Sequence, residues 1–346
     1  MIGRNRMSML GGQQTESHQM SIQQAHMAEL MTRLAPSEGY TESLLEGVTF
    51  MRSNRPLVHT QALYEPSILI VIQGRKRGFH GGNLYVYDAR HYLVLSVPLP
   101  FTTETEASEA EPMLGLALRI DPTTTAELAI GIDEARSRPE ARPATLYATR
   151  MEEKLEDATV RLLEVLSSPT EARLLGPSIF REITYRVLTG DQGSSLRAAL
   201  QQRGNFGRIA RALRRIHAQY DRNLDVATLA AEANLSVPAF HVHFRAVTMT
   251  SPIQYIKTIR LHRARLMMIR NGMSAMTASE KVGYESPSQF SREFKRFFGR
   301  PPSEEVRHLK EILSLKSPAL DQRRISGLQP VRRSTPSHLV PSAAAA

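Results

Sequence analysis

Residues 283–302 read GYESPSQFSREFKRFFGRPP, a stretch that suits little besides one short, sharply bounded helix. Ser286 fits the N-cap, Pro287 the first helical position where a missing N–H costs nothing, and Gln289 the reciprocal place of a capping box. Phe290, Phe294 and Phe298 recur every four residues and form one apolar stripe. Gly299 supplies a left-handed C-terminal cap, and Pro301-Pro302 forbid continuation. The opposite face carries Ser288, Gln289, Ser291, Arg292, Lys295 and Arg296, side chains that bond base edges and phosphates. A solvated surface helix has the same kind of face, so this stretch alone does not decide its partner.

The chain writes the same device earlier. Asp225 caps a short helix over 226–233, Asn234-Leu235 turns, and Ser236 caps a second helix that points Phe240 and Phe244 inward. Ala239, His241 and Val242 lie on its other side. Ser251-Pro252 then opens a long helix to about Asn271, with Tyr255, Ile256, Leu261, Ala264, Leu266 and Met267 as its core positions. After Gly272 the pattern repeats as a helix over 274–282, a turn at 283–285 and the Ser286 helix. Two helix-turn-helix units therefore flank one connecting helix. About 20 residues at ~1.5 Å each span ~30 Å, close to the ~34 Å between successive major grooves on one side of a duplex. A helical bundle accounts for the apolar stripes, but not for the doubled caps and spacing together with the charge.

That charge is unevenly placed. The 346 residues carry net +10, yet 203–316 hold 20 Lys/Arg against 9 Asp/Glu while 1–202 hold 20 against 24. A mildly acidic half joined to a basic one marks a module for a polyanion. No cysteine is present, which excludes disulfides and thiolate metal sites. No apolar run reaches membrane length, and no apolar core follows Arg4 and Arg6, so a cytoplasmic protein without a secretory signal is expected.

Between Leu57 and Ile120 short β-rich runs alternate with turns, Gly81-Gly82 being a hairpin turn. They predict a small antiparallel barrel or double-sheet roll that encloses a ligand or fills itself with side chains. His80, Asp88 and His91 are near one another in sequence but lack metal-ligand spacing, and Arg75-Lys76-Arg77 reads as a solvated turn. Tyr64, Tyr85 and Tyr87 line a pocket or simply pack. No catalytic constellation stands out, so neither an enzyme nor a cofactor or metal is expected. A metal-dependent enzyme fused to a DNA-binding module, and a non-specific architectural DNA binder, are the alternatives. Residues 121–205 read as helical apart from a loop over 137–143. The stripes Leu155, Ala158, Leu162, Leu166 and Ile179, Ile183, Val187 suit either covering the barrel or pairing with a second subunit. The fold class is thus α+β, an N-terminal antiparallel β-barrel with following helices and an all-α C-terminal domain. The expected divisions are a flexible arm 1–25, a sensor domain 26–145, a helical connection 146–205, a DNA-binding domain 206–315 and a basic tail 316–346.

Leu229-Ala230, Ser236, Phe240, Phe244-Arg245, Ser251-Pro252, Tyr255, Arg263-Ala264, the run 282–294, Phe298-Gly299 and Pro301-Pro302 together resemble the AraC/XylS family of transcriptional regulators. The stretches 63–67, 73–76, 87–89, 93–97 and 181–190 resemble the cupin-like N-terminal domain of one branch of that family. The resemblance implies a regulator of double-stranded DNA, often an activator touching RNA polymerase, whose N-terminal domain senses a small molecule or mediates homodimerisation. Its base-reading positions fall on Pro238, His241 and Val242, and on Ser288, Gln289, Ser291 and Arg292. Arg245, Lys295, Arg296 and Arg300 hold phosphates or flank the groove. Val242 departs from a frequent arginine and Met249 from a turn glycine, which shifts base recognition toward the second unit.

Overall fold

The computed structural model describes residues 21–135, 144–201 and 204–312; the expected loop over 137–143, the tail from 316 and the arm before Ser21 lie outside them. Helix α1 (Ile22–Leu34) follows the helix-compatible pattern of residues 21–34 and overlaps the end of the stretch read as an arm, because Ser21 and Gln24 close a capping box that satisfies otherwise orphaned N–H groups. Its Met27, Leu30 and Met31 are buried.

Nine strands then follow: β1 (Gly39–Glu42), β2 (Val48–Ser53), β3 (Leu57–Tyr64), β4 (Ser67–Gln73), β5 (Arg75–His80), β6 (Asn83–Asp88), β7 (His91–Leu95), β8 (Leu99–Glu106) and β9 (Met113–Arg119). They form one antiparallel sheet in the order β1-β2-β9-β4-β7-β6-β5-β8-β3, with β10 (Leu146–Arg150) paired to β7. β1 and β3 end that path, so the sheet curls into a half-barrel. The β5–β6 hairpin turns as its glycines require: His80 pairs with Asn83, and Gly81 and Gly82 have φ of 57° and 79°, accessible to glycine without strain. β1, β2 and β10 are additions to the sequence reading. β2 buries both Phe50 and Met51 in succession, which hides the period-two signal of a half-exposed strand.

One sheet face, with Ile68, Ile70, Val94, Leu116 and Leu118, packs under helices. These include α1, α3 (Glu153–Val165) and α5 (Gly176–Thr189), while α2 (Pro122–Ala135), α4 (Pro169–Leu174) and α6 (Gly193–Gln201) complete the layer. Leu155, Leu162, Ile183 and Val187 are buried in that core, so these helices cover the sheet.

The other face, with Leu69, Val71, Leu93, Leu95 and Phe101, shares one hydrophobic core with the first C-terminal helices. Those are α7 (Gly204–Ala218), α8 (Val226–Glu232), α9 (Val237–Thr248) and α10 (Pro252–Asn271). Tyr255 Oη donates to Pro98 O at 2.7 Å and lies 2.9 Å from His217 Nε2. Burial and the nearby Arg263 lower His217 to about 3, so its neutral ring donates to that hydroxyl. Thr145 Oγ1 donates to Val247 O at 2.9 Å. The remaining helices, α11 (Ala275–Lys281), α12 (Pro287–Phe298) and α13 (Pro302–Ile312), build a separate core with Leu261, Met268, Val282, Phe290 and Phe294. On α10, Leu266 and Met267 prove half-buried, whereas Ile259, Met268 and the polar His262 and Arg265 are buried. Arg265 explains its own burial: it binds Glu305 Oε1 at 3.2 Å and Gln61 O of β3 at 2.6 Å.

Arg75-Lys76-Arg77 is strand, not turn. Arg75 and Arg77 face outward and pair with Asp88, Glu104 and Glu106, while Lys76 faces inward and is 5 % exposed. Burial lowers its ammonium from 10.5 to about 8. Between those values the unfolded chain holds the proton that the folded chain has released, so this group makes stability rise with pH through that window. Lys76→Met is expected to remove about 3 kcal/mol of that rise, read as the parent-minus-variant difference in urea unfolding between about pH 7 and about pH 10.

Candidate nucleic-acid interface

The two helix-turn-helix units repeat their geometry at an offset of fifty residues. Ser236 Oγ accepts from Ala239 N at 3.4 Å, and Ser286 Oγ from Gln289 N at 3.3 Å. Phe240 and Phe244 in α9 and Phe290 and Phe294 in α12 are fully buried. Both helices end on a left-handed residue, Met249 (φ 58°) and Gly299 (φ 81°), whose N–H closes on the carbonyl four residues back. Met249 thus adopts the conformation that glycine takes in the second copy, at a cost of about 1 kcal/mol. The turns use Asn234 (φ 52°) and Gly283 (φ 82°).

The expected contact residues are exposed on these scaffolds. Pro238, His241, Val242 and Arg245 are exposed on α9, and Ser288, Gln289, Ser291, Arg292, Lys295 and Arg296 on α12. α9 offers one permanent cation, Arg245, and Val242 at 66 % exposure; α12 offers three cations. The capping box foreseen at Ser286 is only half made. Gln289 Nε2 does not return to Ser286 but donates to Glu293 Oε1 at 3.1 Å. Arg300 lies 3.6 Å from Glu305 Oε2 and so already has a carboxylate partner. The α7 arginines have structural partners: Arg208 donates to Asn234 O at 3.1 Å, Arg211 to Glu232 O, and Arg215 pairs with Glu232. They hold the carbonyl end of α8, where positive charge is favourable.

Two positioning residues escaped the sequence reading. Arg260 of α10 donates to Tyr220 O at 2.8 Å, Arg222 O at 2.8 Å and Gly283 O at 3.0 Å. One guanidinium therefore ties the loop before α8 to the turn before α12. Glu293 accepts from Lys257 Nζ at 2.7 Å and Tyr284 Oη at 2.8 Å as well as from Gln289. Burial pushes its carboxyl up, but these hydrogen bonds outweigh burial and hold it below the usual range. Glu293 fixes both the tilt of α12 on α10 and the Gln289 side chain. As the single acid of a basic helix, it was the one signal available.

The histidines of the barrel do not assemble. His91 Nδ1 pairs with Asp88 Oδ1 at 3.0 Å at one end of the β5–β6 hairpin, and His80 sits at the other. Among the described residues no three His, Cys, Asp or Glu side chains cluster to hold a metal, and no helix is long and apolar enough to cross a membrane.

Residues 44–195 match the AraC-type transcriptional regulator N-terminus, and residues 229–308 a helix-turn-helix domain. The chain belongs to the AraC-type transcriptional regulators. Within that family, it is 34 % identical over 88 residues to the Msm operon regulatory protein of Streptococcus mutans, covering 25 % of this chain and 32 % of that one. It is 33 % identical over 87 residues to the activator RclR of Escherichia coli K12, covering 25 % and 31 %. The chain thus matches about a third of the length of these curated relatives. Its fold is similar to that of ToxT from Vibrio cholerae, with a TM-score of 0.51 at 12 % identity over 80 % of this chain and all of that one.

Proposed function

We propose that this AraC-type regulator binds double-stranded DNA sequence-specifically, with α9 and α12 in adjacent major grooves, and regulates transcription from that site. The observation that carries the reading is the exposed face of α12, held in place by Glu293 and Arg260 at the far end of a 20-residue connecting helix. Arg292 and Gln289 read bases, with Ser288 and Ser291 beside them. Lys295, Arg296 and Arg245 hold phosphates, and Arg300 flanks the groove. Pro238, His241 and Val242 give the first unit a mainly apolar contact, suited to thymine methyls. Residues 206–315 form the DNA-binding domain, 26–145 the sensor or dimerisation domain and 146–205 the helical connection. In this reading the protein works in the cytoplasm, activates through RNA polymerase and performs no catalysis.

Selection of bound sequences from a random duplex pool tests this. The expected result is one enriched sequence with two clusters about 10 bp apart, centre to centre. Equal affinity for random and selected DNA at physiological salt would overturn it. Lys295→Ala is expected to weaken every sequence alike and to lower the salt dependence of binding by about one phosphate, measured by titration at several salt concentrations.

A further inference from the structure

Helix α12 contains one acid, and its partners assign it a task. A carboxylate on a helix that faces phosphates repels the duplex, and packing against α10 is served as well by an apolar side chain. Glu293 nevertheless stands there, its side chain 13 % exposed. Lys257 of α10 neutralises it from behind, Nζ to Oε1 at 2.7 Å, and Tyr284 Oη donates to Oε2 at 2.8 Å. Tyr284 is itself buried and meets Phe290 edge to face, with 5.3 Å between ring centroids. Both carboxylate oxygens are therefore anchored from within the protein. The remaining bond is the exposed one: Gln289 Nε2 donates to Oε1 at 3.1 Å. A carboxylate only accepts, so it admits the amide by its nitrogen and turns the amide oxygen away. Fifty residues earlier the matching positions are Ala239 and His243, which contain no amide, so the first unit lacks the device.

We infer that Glu293 is a specificity-determining positioning residue: it presents Gln289 to the major groove as one acceptor beside one donor, the edge that pairs with adenine. This rests on the reading of α12 as a base reader. An amide free to turn about its last side-chain torsion offers oxygen or nitrogen with equal ease, and so matches several bases weakly. With one N–H committed to Glu293, the oxygen and the second N–H remain, side by side. Adenine answers both, giving an N6 proton to the oxygen and taking the N–H on N7. Guanine presents two acceptors, N7 and O6, in the same places, so the fixed oxygen meets O6 and is repelled. Glu293 therefore excludes guanine as much as it favours adenine, without touching a base itself.

Binding of the full chain to the operator selected from the random pool, and to single-base variants of that operator, tests this. Gln289→Ala identifies the base pair that Gln289 reads, as the one where discrimination disappears. That pair is expected to be A·T, with adenine preferred over guanine by about tenfold or more in the parent. Glu293→Ala is expected to reduce this preference to about twofold. The preference at the pair that Arg292→Ala relaxes is expected to stay within about twofold of the parent. Glu293→Gln retains an oxygen for the amide N–H and is expected to keep most of the adenine preference. In a Gln289→Ala background, Glu293→Ala is expected to change nothing at that pair. An equal loss at the Gln289 and Arg292 pairs would show that Glu293 only sets the tilt of the helix, and overturns the inference. So does a base pair other than A·T under Gln289, which Gln289→Ala alone reveals should Glu293→Ala not fold. A parent that selects no sequence removes the base reading and the inference with it. A selected operator whose adenine preference survives Glu293→Ala removes the inference alone.

Discussion

Gly283→Ala is expected to dismantle the second reading unit. An alanine there must hold φ near 82°, and its Cβ would stand 2.5 Å from Asp221 O. The left-handed backbone costs about 1–2 kcal/mol. The second obstacle is main chain, which Arg260 clamps on both sides, so little can give way. A total loss of about 3 kcal/mol or more follows from strain at a special φ added to overpacking. Urea unfolding would read it, and hydrogen exchange would place it in α11 and α12. Selective DNA binding is lost with the unit. Gly82→Ala is the control, since its φ is 79° but nothing lies within 4 Å of the added atom; it should cost the backbone part alone. Equal costs at the two positions would show that the close approach to Asp221 carries no energy.

Arg292→Ala is expected to cost about 1–3 kcal/mol in operator binding and to relax specificity at one base pair. Arg292 is exposed on α12 and forms no ion pair among the described residues, so its removal leaves the fold intact. The corresponding residue of the first unit is Val242, whose truncation to alanine removes only apolar contact and is expected to cost less. Binding of the selected operator and of its single-base variants measures both. An Arg292→Ala protein that binds as tightly and selectively as the parent would sink the assignment.

Much of this was legible because local signals agreed with one another. The caps at Ser236 and Ser286, the phenylalanine stripes and the charge balance each pointed to paired helix-turn-helix units, and the chain satisfies them together. The connecting helix was legible in length but not in burial. It is covered on several sides and even buries His262 and Arg265, so no single polar face advertises its orientation. Lys76 was misread because three consecutive cations look solvated. Strand periodicity held the answer: period two separates Arg75 and Arg77 from Lys76, and on β8 Glu104 and Glu106 alternate with Thr103 and Thr105 in the same way. The roles of Arg260 and Glu293 depend on carbonyls and side chains distant in sequence, which no local pattern encodes.

The two units do not share one core. The first is fused to the half-barrel through Phe244, Tyr255 and Leu95, whereas the second has its own small cluster around Phe290 and Phe294. In the proposed complex this would make one planted foot and one that can lift, since the second unit can open locally without disturbing the core that anchors the first.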